Sequence, residues 1–302
     1  VPRSMIVIGG GVIGLEYAIM FATLGVQVTV VDGRANLLEF CDQEIIETLL
    51  HHARSLGMLF RLGENVTDIH EPKPGLVAVE LESGDTASLH LDRAGLSADD
   101  RGRMKCNEHF QTNVPHIYAV GDVVGFPALA STSMEQGRRA ACHMLGRDFE
   151  PCRHMPYGLF TIPEISMVGQ NEQQLTAAHV PYEVGIARFS EIARGQIAGD
   201  VSGMLKILFH RETRKLLGVH VIGEAATEII HIGQAVMALD GTLDYFRDTV
   251  FNYPTMAECY KVAALDGLNK LSLWAEVERA VAFSPPACTE SMTNVEALLA
   301  QV

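Results

Sequence analysis

The stretch VPRSMIVIGGGVIGLEYAIMFATLGVQVTVVD, residues 1–32, determines how the rest of the chain is interpreted. It contains a short apolar run at residues 5–8, and three glycines follow at once at residues 9–11. Apolar side chains then recur at helical spacing over residues 12–24, and residues 26–31 form a second apolar run. A strand, a glycine turn, a helix and a strand within about thirty residues are typical of a parallel α/β unit. The stretch therefore predicts a Rossmann-like nucleotide-binding domain.

The spacing of the glycines predicts a dinucleotide site. Gly9, Gly11 and Gly14 form the pattern G-x-G-x-x-G. In this pattern the first glycine allows a tight turn, the second lets a pyrophosphate approach the backbone, and the third lets the helix pack closely on the sheet. The pyrophosphate then faces the amide groups and the positive dipole end of the helix. Alone the pattern would indicate no more than a glycine-rich turn, but here it follows a buried strand and opens a helix.

Two charged residues after the second strand predict which dinucleotides bind. Asp32 lies 18 residues after Gly14, close to the spacing of about 20 at which a carboxylate accepts hydrogen bonds from an adenosine ribose. This carboxylate favours NAD, whereas the guanidinium of Arg34 suits the 2′-phosphate of NADP. The alternative interpretation of Arg34 is a solvated loop charge. Together the pair predicts that both cofactors are tolerated.

The composition excludes several classes of partner. The 302 residues carry a net charge of −14, and such a surface repels nucleic acid backbones and anionic lipids. No apolar stretch reaches the ~18–20 residues of a transmembrane helix. The six cysteines form no C-x-x-C pair and the histidines do not cluster with carboxylates, so we expect no metal site. Scattered cysteines without a charged-then-apolar leader predict a cytoplasmic protein.

Beyond the first unit, the pattern changes from parallel α/β to antiparallel near residues 151–156, which form a predicted linker. Residues 84–106 contain no convincing strand. The predicted elements are a helix capped by Asp42 and ending near Leu56, strands over 59–62, 66–70, 76–81 and 117–120, a helix over 131–145, antiparallel strands over 184–189, 204–209 and 216–222, helices over 225–238 and 255–271, and a short amphipathic piece over 295–299.

Five motifs along the chain follow one family pattern. They are residues 1–18 around the glycine turn, IYAVGD at 117–122, ALASTSMEQG at 128–137, YGLFTIPEISMVG at 157–169 and GMLKILFHRET at 203–213. Together they resemble the flavoprotein (class I pyridine nucleotide) disulfide oxidoreductases, and the resemblance extends over nearly all residues from Val1 to Leu271.

The resemblance implies an α/β fold in three domain sections followed by a tail, and a protein that forms a homodimer or a higher assembly. It places the N-terminal FAD-binding half of the family, with its redox cysteines, before Val1, and one family strand is missing near residue 85. The implied sections are a Rossmann-like NAD(P)-binding domain over 1–90 with a parallel sheet and inserted antiparallel strands, the C-terminal portion of an FAD-binding domain over 91–150, an α+β dimerisation domain with an antiparallel sheet over 151–271, and an unassigned tail over 272–302.

The resemblance also implies three cofactors, FAD, NAD and NADP, and the residues that bind them. Glu16, two residues after the third glycine, belongs to the family pattern and joins the NAD(P)-binding residues. In the family, the aspartate of the 117–122 motif contacts the ribityl chain of FAD, and the next helix begins beside the flavin. The implied FAD-binding residues are Gly121, Asp122, Leu129 and Ala130.

The segment FNYPTMAE, residues 251–258, is the most diagnostic within the family. Disulfide-reducing members carry a histidine there that exchanges protons with a thiol, followed by Pro-Thr and a glutamate that orients it. Here Tyr253 stands in the position of the histidine and Glu258 is kept. A free phenol titrates near pH 10 and is a poor proton shuttle at neutral pH. Tyr253 and Glu258 are therefore the candidate catalytic residues, or else they are ordinary turn and helix-cap residues.

The expected function follows from this replacement. In lacking the histidine, the chain resembles the soluble pyridine nucleotide transhydrogenases, in which a hydride passes from NADPH to NAD through FAD without thiol chemistry. One alternative is a dihydrolipoamide dehydrogenase-like disulfide reductase or an NADH oxidase. Another is a non-catalytic, nicotinamide-binding and dimerising fragment, since the upstream half of the flavin site is not contained in this sequence.

Overall fold

A computed structural model describes residues 2–64, 66, 91–99, 102–147 and 152–282, with the side chains of all but 92, 93 and 274–282. The described residues form two compact units. The first takes its residues from Val1–Glu39 and Ala53–Thr161, and the second takes its residues from Phe40–His52 and Ile162–Val302.

The first unit is built on the parallel sheet that the opening sequence predicts. Strand β1 (Ser4–Ile8) leads through the glycine turn into helix α1 (Val12–Thr23), and strand β2 (Gln27–Asp32) follows. Strand β3 (Leu59–Leu62) pairs with the other side of β2, and all three strands are parallel. The buried face of α1 is apolar, as expected for a helix that packs on a sheet: Leu15, Ala18, Ile19 and Ala22.

The helix that follows β2 is capped as predicted. Helix α2 spans Gln43–Ser55, and the carboxylate of Asp42 accepts a hydrogen bond of 3.2 Å from the backbone N–H of Glu44. Ser, Thr, Asp and Asn are the residues that best satisfy the free N–H groups of a first helical turn. The turn after the helix contains Gly57 at φ +86°, a conformation that glycine adopts without strain.

The rest of the first unit departs from the prediction at one strand. Residues 117–120 form no strand, so that prediction is wrong. Tyr118 makes one isolated antiparallel bridge to Gln111, because the chain reverses tightly between them and leaves room for a single pair. The helix predicted for 131–145 is confirmed as α3 (Ala130–Met144). The predicted antiparallel strands at 66–70 and 76–81 lie outside the described residues, apart from Val66.

The second unit contains the predicted antiparallel sheet. Its strands are β5 (Ile165–Gly169), β6 (Tyr182–Arg188), β7 (Met204–His210) and β8 (Leu216–Ile222), and they lie in the order β5–β8–β7–β6. The sequence did not predict β5, the strand β4 (Tyr157–Leu159, in the first unit) or three short helices, because each contains too few apolar residues to show a period. The last helix is longer than predicted because neither glycine nor proline interrupts residues 272–282. The remaining elements are α4 (Glu172–Ala177), α5 (Ala193–Ala198), α6 (Ala226–Ala238), α7 (Leu243–Asp248) and α8 (Glu258–Ala282). The piece predicted over 295–299 lies outside the described residues.

Hydrogen bonds from two of its side chains hold α8 in the second unit. The hydroxyl of Tyr260 donates to the carbonyl oxygen of Ile229 at 2.8 Å and accepts from the N–H of Gly233 at 3.0 Å, so it lies within the hydrogen-bond ladder of α6. The carboxylate of Asp266 accepts from the backbone N–H of Ile186 on β6 at 2.8 Å. These contacts connect α8 to both α6 and the edge of the sheet.

Candidate functional site

The glycine turn has the geometry that its spacing predicts. Gly9 adopts φ +95°, which only glycine adopts readily. A Cβ at Gly14 would collide with the carbonyl oxygen of Gly9, so only glycine lets α1 approach the turn. A Cβ at Gly11 would meet nothing within 4 Å. Gly11 therefore faces open space, which fits the close approach of a pyrophosphate to the backbone.

The carboxylate of Asp32 binds the glycine turn directly. Asp32 is buried at the end of β2, and its Oδ2 accepts a hydrogen bond of 2.7 Å from the N–H of Gly10. Gly10 was not among the predicted site residues, because its own side chain offers no chemistry and the partner lies 22 residues away. This bond brings the glycine turn and the predicted ribose acceptor into one site.

Arg34 donates three hydrogen bonds to the same carboxylate. Its backbone N–H and its Nε each donate to Oδ1 of Asp32 at 2.8 Å, and its Nη2 donates to Oδ2 at 2.6 Å. The Arg34 guanidinium holds the pKa of Asp32 well below its usual range; burial opposes this effect, and the N–H groups of Arg34 and Gly10 add to it. The Arg34 side chain is nevertheless 53% exposed. The two residues predicted to choose between NAD and NADP are therefore in direct contact.

Glu16 has a backbone partner in the first unit. The carboxylate of Glu16, on the second turn of α1, accepts a hydrogen bond of 2.9 Å from the backbone N–H of Phe160. The two residues are 144 positions apart, so the sequence could not show this contact. The contact connects the predicted NAD(P)-binding helix to the segment just before residue 162.

The residues predicted to bind FAD lie together near the start of α3. Gly121 adopts φ +80°, and its N–H donates a hydrogen bond of 2.6 Å to Oε1 of Gln136. Asp122 follows in a short 3₁₀ helix and is exposed. Leu129 precedes the first residue of α3, Ala130, and no side chain caps this turn. Gln136, a buried polar residue that the sequence did not single out, therefore fixes the turn that carries Asp122.

The structure does not join the two predicted catalytic residues. The ring of Tyr253 is 72% exposed, and Glu258 is the first residue of α8. Among the described residues no hydrogen bond links their side chains, and Oε2 of Glu258 is buried without a hydrogen-bond partner. Their catalytic role stays a prediction.

A buried lysine forms an ion cluster that the sequence did not predict. Lys206 is 0% exposed on β7, and its Nζ lies 2.9 Å from Oδ1 of Asp42, 2.8 Å from Oε2 of Glu44 and against the carboxylate of Glu172. These three carboxylates are close enough together to hold a metal ion, but the ammonium already lies against each of them. Although burial lowers the pKa of Lys206, the carboxylates of Glu172, Glu44 and Asp42 raise it overall.

A neutral histidine lies beside this cluster. His220 on β8 is the cross-strand partner of Lys206 and is almost fully buried. Its Nε2 lies 3.0 Å from the carbonyl oxygen of Gln170, so Nε2 carries the proton and donates. Burial lowers the pKa of His220, which favours the neutral ring. The cluster is thus a charged, structural layer of the second unit.

No helix within the described residues is long and apolar enough to cross a membrane.

Comparison with protein families gives two matches. A model described as pyridine nucleotide-disulphide oxidoreductase matches residues 1–137. A model of the dimerisation domain of the same group matches residues 155–264.

Curated relatives and solved structures agree with these matches. A soluble pyridine nucleotide transhydrogenase of Mycobacterium bovis is 52% identical over 286 residues, which are 89% of this chain and 61% of the relative. One from Chromohalobacter salexigens is 49% identical over 289 residues, with 89% and 62% covered. The chain thus spans about three fifths of the length of these relatives. The HOCl-induced flavoprotein disulfide reductase RclA from Escherichia coli has a TM-score of 0.78 at 28% identity, over 87% of this chain and 65% of that one.

Removing the buried lysine should destabilise the protein strongly. We expect Lys206→Met to lower the free energy of unfolding at pH 7 by about 3–5 kcal/mol, because Asp42 would remain buried without its cation. The measurement is urea unfolding followed by circular dichroism. The matched control is Lys215→Met, which removes an exposed lysine paired with Asp240 and should cost at most about 1 kcal/mol.

The pH dependence of the same variant follows from the raised pKa. The charged Lys206 contributes fully to the free energy of unfolding below its unfolded-state pKa of about 10.4. This contribution is lost as the pH rises through the higher pKa of Lys206 in the folded state. The stability difference between wild type and Lys206→Met should therefore be constant from pH 7 to about 9 and narrow above about 10.4. Equal stabilities at pH 7 would contradict a stabilising role for the cluster.

Proposed function

The chain belongs to the pyridine nucleotide-disulphide oxidoreductase family, and we propose that it binds NADP and NAD and serves in FAD-dependent hydride transfer between them. The observation that carries the proposal is the contact between Asp32 and Arg34 beside the open backbone of Gly11. A carboxylate suits the ribose of NAD and a guanidinium suits the 2′-phosphate of NADP. The relatives named soluble pyridine nucleotide transhydrogenase support this activity.

The proposed NAD(P)-binding residues are Gly9, Gly11, Gly14, Glu16, Asp32 and Arg34. Gly9 and Gly14 shape the turn, and Gly11 leaves the space through which the pyrophosphate reaches the amide groups at the start of α1. Asp32 and Arg34 contact the adenosine end. Glu16 acts by holding the backbone of Phe160.

The proposed FAD-binding residues are Gly121, Asp122, Leu129 and Ala130. Their environment fits the cofactor, since Asp122 is exposed and the uncapped first turn of α3 offers backbone N–H groups to a polar ring edge. FAD supplies reversible hydride acceptance when it is bound. The role of these residues is to grip the ribityl chain and orient the ring.

Tyr253 favours hydride exchange over thiol chemistry. A disulfide reductase needs a group at this position that exchanges protons with a thiol near neutral pH, and a histidine does so far better than a phenol. Glu258 opens α8 five residues later, and Tyr253 is open to solvent in the second unit. We keep both as candidate catalytic residues.

The domain boundaries proposed from the sequence assign a single task to each segment. Residues 1–90 bind the nicotinamide cofactor, 91–150 contribute to the FAD site and 151–271 form the dimer, while 272–302 have no assigned task.

We propose a cytoplasmic location, in keeping with the cysteines of the described residues, all of which are free thiols. Neither nucleic acid, membrane nor metal is proposed as a partner of this acidic chain.

An anaerobic hydride-transfer assay tests the activity. The chain, supplied with the N-terminal FAD-binding half of the family, is mixed with excess FAD, NADPH and thio-NAD, an NAD analogue whose reduced form absorbs apart from NADPH. We expect FAD-dependent formation of thio-NADH. Asp122→Asn should slow it by about 10- to 150-fold through loss of a charge-assisted hydrogen bond, while the exposed control Asp248→Asn should not.

The other outcomes of this assay separate the alternatives. Reduction of lipoamide, or consumption of oxygen when air is admitted, without thio-NADH would indicate a disulfide reductase or an oxidase. Binding of both dinucleotides by calorimetry with no turnover would contradict the catalytic proposal and indicate a binding and dimerising fragment.

Self-association is the second testable element of the proposal. The dimerisation-domain match covers residues 155–264, and Val250 and Leu239 are among the exposed large apolar side chains of the second unit. We expect light scattering at micromolar concentration to give twice the chain mass of 32.9 kDa. Val250→Asp should weaken the dimer, because a charge would have to be desolvated at the contact. The control Leu24→Asp, which changes an exposed apolar side chain of the first unit, should leave the dimer intact. A monomeric wild type would contradict the proposal.

A further inference from the structure

The carboxylate of Asp32 is saturated with hydrogen-bond donors. Its two oxygens accept from the N–H of Gly10, from the N–H of Arg34 and from Nε and Nη2 of the Arg34 guanidinium, at 2.6–2.8 Å. An ionised carboxylate has about four acceptor positions. A ribose hydroxyl that approaches Asp32 in this arrangement therefore finds no acceptor position free.

Only the side-chain half of this arrangement can move. The donors from Gly10 and the Arg34 backbone belong to the glycine turn and to the end of β2, whereas the guanidinium is on a long side chain that is 53% exposed. Because the Arg34 side chain is half exposed, water can solvate the guanidinium when it leaves Asp32. When the guanidinium leaves, two acceptor positions of Asp32 become free for a ribose diol.

The closed arrangement instead suits a phosphate. A guanidinium has five N–H donors, and Arg34 uses two of them on Asp32, which leaves three to point elsewhere. The guanidinium also neutralises Asp32, which would otherwise repel a 2′-phosphate. The 2′-phosphate of NADP thus needs the guanidinium in place, and the free 2′-hydroxyl of NAD needs it displaced.

We propose that Arg34 is a latch on Asp32 that sets the preference between the two cofactors. When the guanidinium is bound to Asp32 (the closed latch) the site binds NADP, and when the guanidinium has left Asp32 (the open latch) the site binds NAD. The proposal rests on the proposed function, because it assumes that dinucleotides bind at this turn. The latch lowers the apparent affinity for NAD by the fraction of molecules in which it is open. Arg34 is thereby a specificity-determining residue for both cofactors, with effects of opposite sign.

The test is calorimetric titration of the full 302-residue chain with NAD and with NADP. In Arg34→Ala we expect NADP to bind about 10- to 150-fold more weakly, through loss of a charged hydrogen-bond partner. We expect NAD to bind at least about threefold more tightly, because the guanidinium no longer competes for the acceptor positions of Asp32. Arg34→Gln, which keeps the length but not the charge, should shift both in the same directions.

A second arm uses salt, and a matched control uses another forked ion pair. Salt screens exposed ion pairs. Raising the salt concentration should lower the affinity of the wild type for NADP, while its affinity for NAD stays the same or increases. In Arg34→Ala the affinity for NAD should not increase with salt. Arg138 places Nε and Nη2 on Glu135 at 3.0 and 3.1 Å with its side chain 55% exposed. Arg138→Ala should leave both affinities unchanged.

The outcomes separate the latch from the proposed function. If Arg34→Ala weakens NADP and leaves NAD unchanged, Arg34 is a phosphate contact only and the latch is overturned. If NAD also weakens, Arg34 assists both cofactors and the latch is again overturned. If neither dinucleotide binds the wild type, the proposed function itself fails, and the latch fails with it.

Discussion

The hydrogen bond from the N–H of Gly10 to the carboxylate of Asp32 is the contact on which the candidate site depends. It fastens the glycine turn after β1 to the end of β2, so the open backbone of Gly11 and the polar end of β2 lie together. A buried carboxylate is unfavourable unless it is hydrogen-bonded, and here backbone and guanidinium donors offset that cost. The group that we propose as the ribose acceptor thus also shapes the turn proposed for the pyrophosphate.

The Lys206 cluster and the Arg34–Asp32 ion pair differ in how freely the cation can leave its carboxylates. Lys206 is enclosed by three carboxylates, Asp42 at the cap of α2, Glu44 in α2 and Glu172 in α4, and its side chain is not accessible. Breaking such a cluster leaves buried charge, which makes it a fixed feature of the second unit. Arg34 contacts a buried carboxylate too, but its own side chain is half exposed, so solvent can take up the guanidinium when a ligand replaces it on Asp32. Burial of the cation therefore decides which pair is structural and which can respond to a ligand.

The local pattern of the sequence predicts much of the fold. The parallel unit, the Asp42 cap and the antiparallel strands near 204–209 and 216–222 were predicted, because period and capping are local properties. The prediction of a strand at 117–120 was wrong, because an apolar run does not show whether a second strand is available to pair with it. The candidate site residues Asp32 and Arg34 were predicted from spacing, but their contact with each other and with Gly10 was not. Contacts between distant residues account for the rest: Lys206 and Asp42 are 164 positions apart, and a lone lysine in the apolar strand MLKILFH names no partner.

Crystal structures of the chain with NAD and with NADP test the central claim most directly. With NAD, the account predicts that the Arg34 guanidinium has left Asp32 and that the 2′-hydroxyl of the adenosine ribose donates to the freed carboxylate. With NADP, it predicts that the guanidinium bridges Asp32 and the 2′-phosphate. A guanidinium that stays on Asp32 in both complexes, with the ribose hydroxyls bound elsewhere, would contradict it.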